Sequence, residues 1–153
     1  MEKKSGTLNS IQIVCFKIGR EEYGLEILAV QEILKLPKVT RLPKSADFIM
    51  GVINLRGKVI PIVDLSRRFN IEGTESLPDR RAIVVEIRGK RVGLAIDSVS
   101  HVIKVEEKEV EPPPPIVKGI SSRYITGIVK LKEGFVIMLD IKQIFSAEEL
   151  SML

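Results

Sequence analysis

The chain repeats itself. With an offset of 69 residues, "VCFKIGREEYGLEILAVQEILKL" (14–36) aligns without a gap on "IVVEIRGKRVGLAIDSVSHVIKV" (83–105). Gly24 falls on Gly93, Leu25 on Leu94, Ile27 on Ile96, Val30 on Val99 and Lys35 on Lys104. A second stretch, "FIMGVINLRGKVIPIVDL" (48–65), aligns on "YITGIVKLKEGFVIMLDI" (124–141) with an offset of 76. Here Gly51 meets Gly127, Leu55 meets Leu131 and Asp64 meets Asp140, and the seven additional residues fall around "EPPPP". Self-similarity of this kind marks an internal duplication. Whatever one half folds into, the other must fold into as well.

Each half reads as β-structure. An alternating strand (11–18), the charged turn "GREE" and a strand from Tyr23 form a hairpin pattern, repeated as 83–88 and 92–96 around "RGK". "LEILAVQEIL" fits a short helix or a strand, but its counterpart "LAIDSVSHVIKV" is rich in β-branched residues and favours strand, turn, strand. A Pro-bounded loop and a hairpin follow, 50–55 with 58–63, matched by 126–131 with 135–139. Five short strands per half predict two small β-barrels. Pro61 has no N–H to donate, so its strand should lie at an edge or carry a bulge there. Asp64 and Asp140 each end a strand before a helical pattern, where a carboxylate accepts from free backbone N–H groups. Both are expected to be helix N-caps and not a catalytic pair. Ser45 is expected to cap one helical turn, and Pro112–Pro115 to form a stiff polyproline II connector.

The residues that chemistry needs are sparse. Cys15 stands alone in "IQIVCFKI" and reads as a small buried hydrophobe. His101 is the sole histidine and is placed opposite the apolar positions of its strand, so no zinc set forms. No Gly-rich phosphate loop and no "GxSxG" is present. Net charge is +4, but acidic residues lie among most of the basic groups, which describes a mixed solvated surface. Nucleic-acid binding by a small barrel is the alternative function, yet Phe16, Phe48 and Tyr124 read as core and leave no stacking platform. At 153 residues the chain can bury roughly 70% of its unfolded surface without staples. Its start, "MEKKSGTLNS", has no apolar stretch behind the basic residues, so a cytoplasmic protein with no membrane insertion is expected.

What remains is a surface. In "NLRG", Gly57 supplies the positive φ of a tight turn, Asn54 can satisfy its backbone, and Arg56 is held on a rigid tip. A guanidinium there is either a solvated turn charge or a fork for a partner carboxylate.

"EEYGLEILAVQEIL", "FIMGVINLRGKVIPIVDL" and the echo "YITGIVKLKEGFVIMLDI" resemble the CheW-like domain family of chemotaxis coupling proteins. The likeness runs from about Ile11 to Leu150 and is most specific from Gly51 to Leu65. The family also includes the regulatory domain of the histidine kinase CheA, but 153 residues leave no room for a kinase. A stand-alone adaptor is the better match. The resemblance implies two intertwined five-stranded SH3-like barrels, mainly β, with short helices and no cofactor or enzymatic activity. With the duplication it predicts a flexible segment 1–10 and one domain over 11–153. The barrels would span about 11–79 and 80–141, strand exchange between them allowed, with a C-terminal helix over about 141–151. It implies an adaptor joining chemoreceptor cytoplasmic tips to CheA. Carried over position by position, receptor contacts fall on Val30, Ile33, Gly51, Asn54, Arg56, Val99 and Val102, and a kinase contact on Glu32.

Overall fold

The computed structural model describes residues 9–71, 78–113 and 122–153. The predicted flexible segment therefore lies almost wholly outside the described residues, as do Pro114 and Pro115 of the proline run. Among the described residues, eleven strands form two sheets. The strands are β1 (Ser10–Ile18), β2 (Glu21–Glu26), β3 (Val30–Lys35), β4 (Ile49–Leu55), β5 (Lys58–Asp64), β6 (Arg81–Ile87), β7 (Lys90–Ile96), β8 (Ser98–Glu106), β9 (Val110–Glu111), β10 (Ile125–Leu131) and β11 (Gly134–Leu139). One sheet runs β3-β6-β7-β5-β4 and the other β8-β1-β2-β11-β10-β9. The sixth strand, β9, continues β8 after a single 3-10 turn and pairs with β10, bringing the two ends of its sheet together. In the first sheet the same closure is made by Thr40, which exchanges two 2.9 Å backbone bonds with Val52 of β4.

Neither sheet follows the linear division into 11–79 and 80–141. Each sheet takes a hairpin from the other half: β1–β2 joins the four strands β8–β11, and β6–β7 joins the three strands β3–β5. The incoming strands are held by parallel ladders, Ile62 opposite Gly93 and Met138 opposite Gly24. The exchange leaves one central core in common. Phe16, Tyr23 and Leu25 from the first half interlock there with Ile83, Leu94, Tyr124 and Phe145 from the second. Smaller cores fill each barrel, around Ile53, Ile60 and Ile62 in one and around Cys15, Val129 and Met138 in the other. A half-chain would leave its barrel without a hairpin and its share of the central core open to water. We therefore expect a single unfolding transition for the whole chain and no folded state for residues 9–79 alone. A second transition in a calorimetric scan would contradict this.

Pro61 sits where the missing N–H is tolerated. Its strand β5 is internal and carries no bulge at Pro61, contrary to expectation, and the missing N–H is tolerated because the parallel ladder to β7 begins only at Ile62. Asp64 caps helix α1 (Leu65–Arg68) as expected, accepting the Ser66 N–H at 3.0 Å. Three other local expectations need correction. Asp140 accepts the Lys142 N–H within a tight turn and caps no helix. The C-terminal helix is confined to Ala147–Ser151 (α2), because Ser146 and Glu149 form a reciprocal capping box that starts it there. Ser45 donates to the Leu42 carbonyl in a turn and precedes no helix.

The C-terminal segment is tied back to the first half by Arg68. Its guanidinium lies 5.1–5.7 Å from the ring centroids of Tyr124, Phe48 and Phe145. It also donates to the Ile144 carbonyl at 2.9 and 3.1 Å and to Glu149 at 2.8 Å. A cation shared by three rings and a carbonyl is a strong local tether.

Candidate functional site

The "NLRG" hairpin has the geometry of a type I′ turn. Arg56 (φ 51°) and Gly57 (φ 84°) both take positive φ, which matches the right-handed twist of the flanking strands. Asn54 Oδ1 accepts the Gly57 N–H at 2.8 Å and stiffens the tip. The Arg56 side chain does not simply extend into water. It makes a two-pronged ion pair with Glu32 of β3, one prong at 3.0 Å from Nη1 to Oε2 and a second from Nη2 to Oε1. The pair holds the Glu32 carboxyl below its ordinary range, the guanidinium hydrogen bond outweighing partial desolvation. Since Arg56 is 66% exposed, the pair stays within reach of a competing carboxylate.

Glu32 reaches the turn because β3 bulges. Val30 pairs with Val85 and Glu32 with Val84, leaving Gln31 unopposed. A bulge of this sort re-aims the side chains beside it. The duplicated strand β8 carries the matching irregularity: Val99 pairs with Phe16 and His101 with Cys15, and Ser100 is skipped. Val30 and Val99 are equivalent in the duplication, half-buried, and packed against the same central core. Ile33 and Val102, also equivalent, are exposed. The structure thus places the carried-over apolar positions on two edge strands flanking the shared core. Their polar neighbours differ: Glu32 and Arg56 correspond to His101 and Lys132, which cannot make such a pair.

Gly51 belongs to a different category. It is buried, with φ 149°, and a Cβ built on it would lie 2.1 Å from the Thr40 carbonyl oxygen. Its place in the predicted contact set therefore needs correction, because the residue lets the closing segment cross β4 and presents no surface. The residue readings missed Leu28. It is 94% exposed on the 3-10 turn Ile27–Ala29 that leads into Val30. The only signal available was an apolar residue in a segment ambiguous between helix and strand. The Glu32–Arg56 pairing was missed as well, since the two lie 24 positions apart on strands that are not sheet neighbours.

Among the described residues no group of three His, Cys, Asp or Glu could take a metal ion, and Cys15 is buried, its thiol pushed up to about 11 by burial and by Glu22. None of the described helices is long and apolar enough to cross a membrane. Two interlocked SH3-like barrels, with an ion pair and exposed apolar residues at a barrel edge, define a protein-interaction module.

The comparisons place that module. The chain belongs to the CheW-like domain family, whose model matches residues 12–149. It is similar to the chemotaxis protein CheW of Treponema pallidum, 35% identical and covering 93% of this chain and 86% of that protein. The CheW of Klebsiella aerogenes is 35% identical, covering 99% and 92%. Among solved structures, the scaffolding protein TtCheW from Thermoanaerobacter tengcongensis superposes with a TM-score of 0.83. It is 39% identical and covers 91% of this chain and 90% of its own. The chain is a chemotaxis coupling, or scaffold, protein of that family.

Proposed function

We propose that this chain is a cytoplasmic, non-enzymatic adaptor that couples chemoreceptor cytoplasmic tips to the histidine kinase CheA. The reading rests above all on the Glu32–Arg56 pair at the barrel edge, beside exposed Ile33. Glu32 is the position assigned to the kinase and Arg56 the position assigned to the receptor. One ion pair therefore joins the two assigned surfaces. A receptor tip is a helical hairpin with charged and apolar faces. Val30, Ile33, Val99 and Val102 offer it apolar contact, and Arg56 a fork for a carboxylate. When a partner carboxylate takes Arg56, Glu32 loses its counter-charge and becomes available to the kinase. Leu28, exposed on the turn that leads into the same strand, is a further apolar side chain open to a partner.

Co-sedimentation with a receptor cytoplasmic fragment, with and without CheA, tests the reading. Arg56→Ala should leave the melting temperature nearly unchanged, weaken receptor binding and lower kinase activation. Glu32→Lys should weaken the kinase complex and also disturb receptor binding, because it removes the partner that orients Arg56. The charge-swapped double variant, Glu32→Arg with Arg56→Glu, should rebuild the ion pair without restoring receptor binding. If Arg56→Ala binds receptor as well as the parent chain, Arg56 is a solvated turn charge and the coupling role fails.

A further inference from the structure

Two hairpin turns of the five-stranded barrel carry the same tripeptide, "RGK", at 56–58 and at 88–90. Both have the same backbone, with Arg56 and Arg88 at φ 51° and 49° and Gly57 and Gly89 at 84°. Because β5 and β7 run parallel with Ile62 opposite Gly93, the two turns stand side by side at one end of the barrel. Lys58, Arg88 and Lys90 are exposed there, with Arg91 half-buried beside them. Glu32 is taken up by Arg56, while Glu86 accepts from the neutral Gln31 and stands opposite Arg91 across the β6–β7 ladder, so the uncompensated cations are those at the turn tips. Lys90 reaches the Leu150 carbonyl at 2.7 Å, which leaves its charge unneutralised. Lys58 and Arg88 have no ion-pair partner among the described residues. The corresponding turns of the other barrel read "GREE" and "KEG", with mixed signs, so the duplication alone does not produce the basic end.

An apolar floor runs between the cations. Val59 is 72% exposed, and with Pro61 and Leu153 it lines a cleft of about 310 Å³ walled by Lys58, Lys90 and Arg91. We propose that this end of the five-stranded barrel is a docking surface for an acidic polypeptide segment that seats an apolar side chain on Val59. Charge complementarity draws the segment in, and the cleft gives it register. A nucleic acid would need aromatic rings to stack its bases, and no Phe or Tyr lines the cleft. The proposal does not depend on the adaptor reading, since it needs neither the Glu32–Arg56 pair nor the β3 and β8 edges.

Fluorescence anisotropy with a labelled peptide of repeated Glu-Glu-Leu triplets tests it, measured across a salt series. Lys58→Glu with Arg88→Asp, the latter chosen because Asp tolerates positive φ, should weaken binding by about tenfold or more and flatten its salt dependence. A control pair with a similar change of net charge, Lys38→Glu with Lys142→Glu, should bind like the parent, and Glu-Glu-Ser triplets should bind the parent less well. Melting temperatures of both double variants should match the parent, since all four side chains are exposed. The proposal is overturned if the control pair loses as much affinity, or if leucine makes no difference. Tighter binding to phosphatidylglycerol vesicles or to an oligo-dT strand would overturn it equally. A failure of receptor co-sedimentation would bear on the adaptor reading and leave this outcome untouched.

Discussion

Asp64→Ala should destabilise the protein by about 3–5 kcal/mol, several times the roughly 1 kcal/mol lost with a helix cap alone. The difference lies in Arg80. Asp64 is completely buried, and Arg80 donates to it from Nη2 at 3.0 Å with its own side chain 4% exposed. Removing the carboxylate leaves the buried guanidinium without its hydrogen-bonded counter-charge, and only the more distant field of Asp97 remains to offset it. Burial by itself would raise the Asp64 carboxyl, but the hydrogen bonds from Arg80 and Ser66 outweigh it and hold the group below its usual 3.8. Its contribution is therefore fully present above that value and is lost as pH falls through the lower, folded value. Asp97 titrates the other way, since burial raises its carboxyl, and acidification through that higher value relieves a cost. Chemical denaturation as a function of pH should show a shallow gain first and a steep loss at more acidic pH. Asp64→Ala should lack the steep loss. A variant with the parent's stability and no partner binding would mean that Asp64 acts in function and not in the core.

Gly51→Ala should cost about 3 kcal/mol, at the upper end of what overpacking produces. A methyl group there collides with the Thr40 carbonyl, a backbone atom that is itself fixed by the paired bonds to Val52. The φ of 149° adds strain for any residue with a side chain. Gly127 occupies the same place in the other barrel, where a Cβ would lie 2.7 Å from the Glu111 carbonyl oxygen and 2.5 Å from Val110. Gly127→Ala should thus destabilise as well, though less, since its φ is not in the positive range and part of the clash is with a side chain. Urea denaturation of both variants gives the answer. If Gly51→Ala keeps the parent's stability yet loses a partner, the residue is a contact after all.

Much of this was legible from residues alone. The duplication, the hairpins with their turns and the core character of Phe16 and Tyr124 are all carried by short-range pattern. Alternation with period two names the strands, and positive-φ glycines name the turns. The turn at Asn54–Gly57 was readable for the same reason, since its stabilising contact spans three residues. The amino-acid sequence by itself determined that there would be two copies of one small β unit, and which face of each strand would be buried.

Tertiary structure decided which copy each hairpin completes. Gly24 and Gly93 both allow a parallel strand to approach closely, and nothing local in either hairpin selects β5 over β11. That choice is made by the joint packing of the central core, a sum over contacts far apart in the chain. The ion pairs follow from it. Arg80 finds Asp64, Arg56 finds Glu32 and Arg68 finds three rings only after the sheets have closed. A charge carries no periodicity, so its partner is set by where the closed barrels bring the backbone.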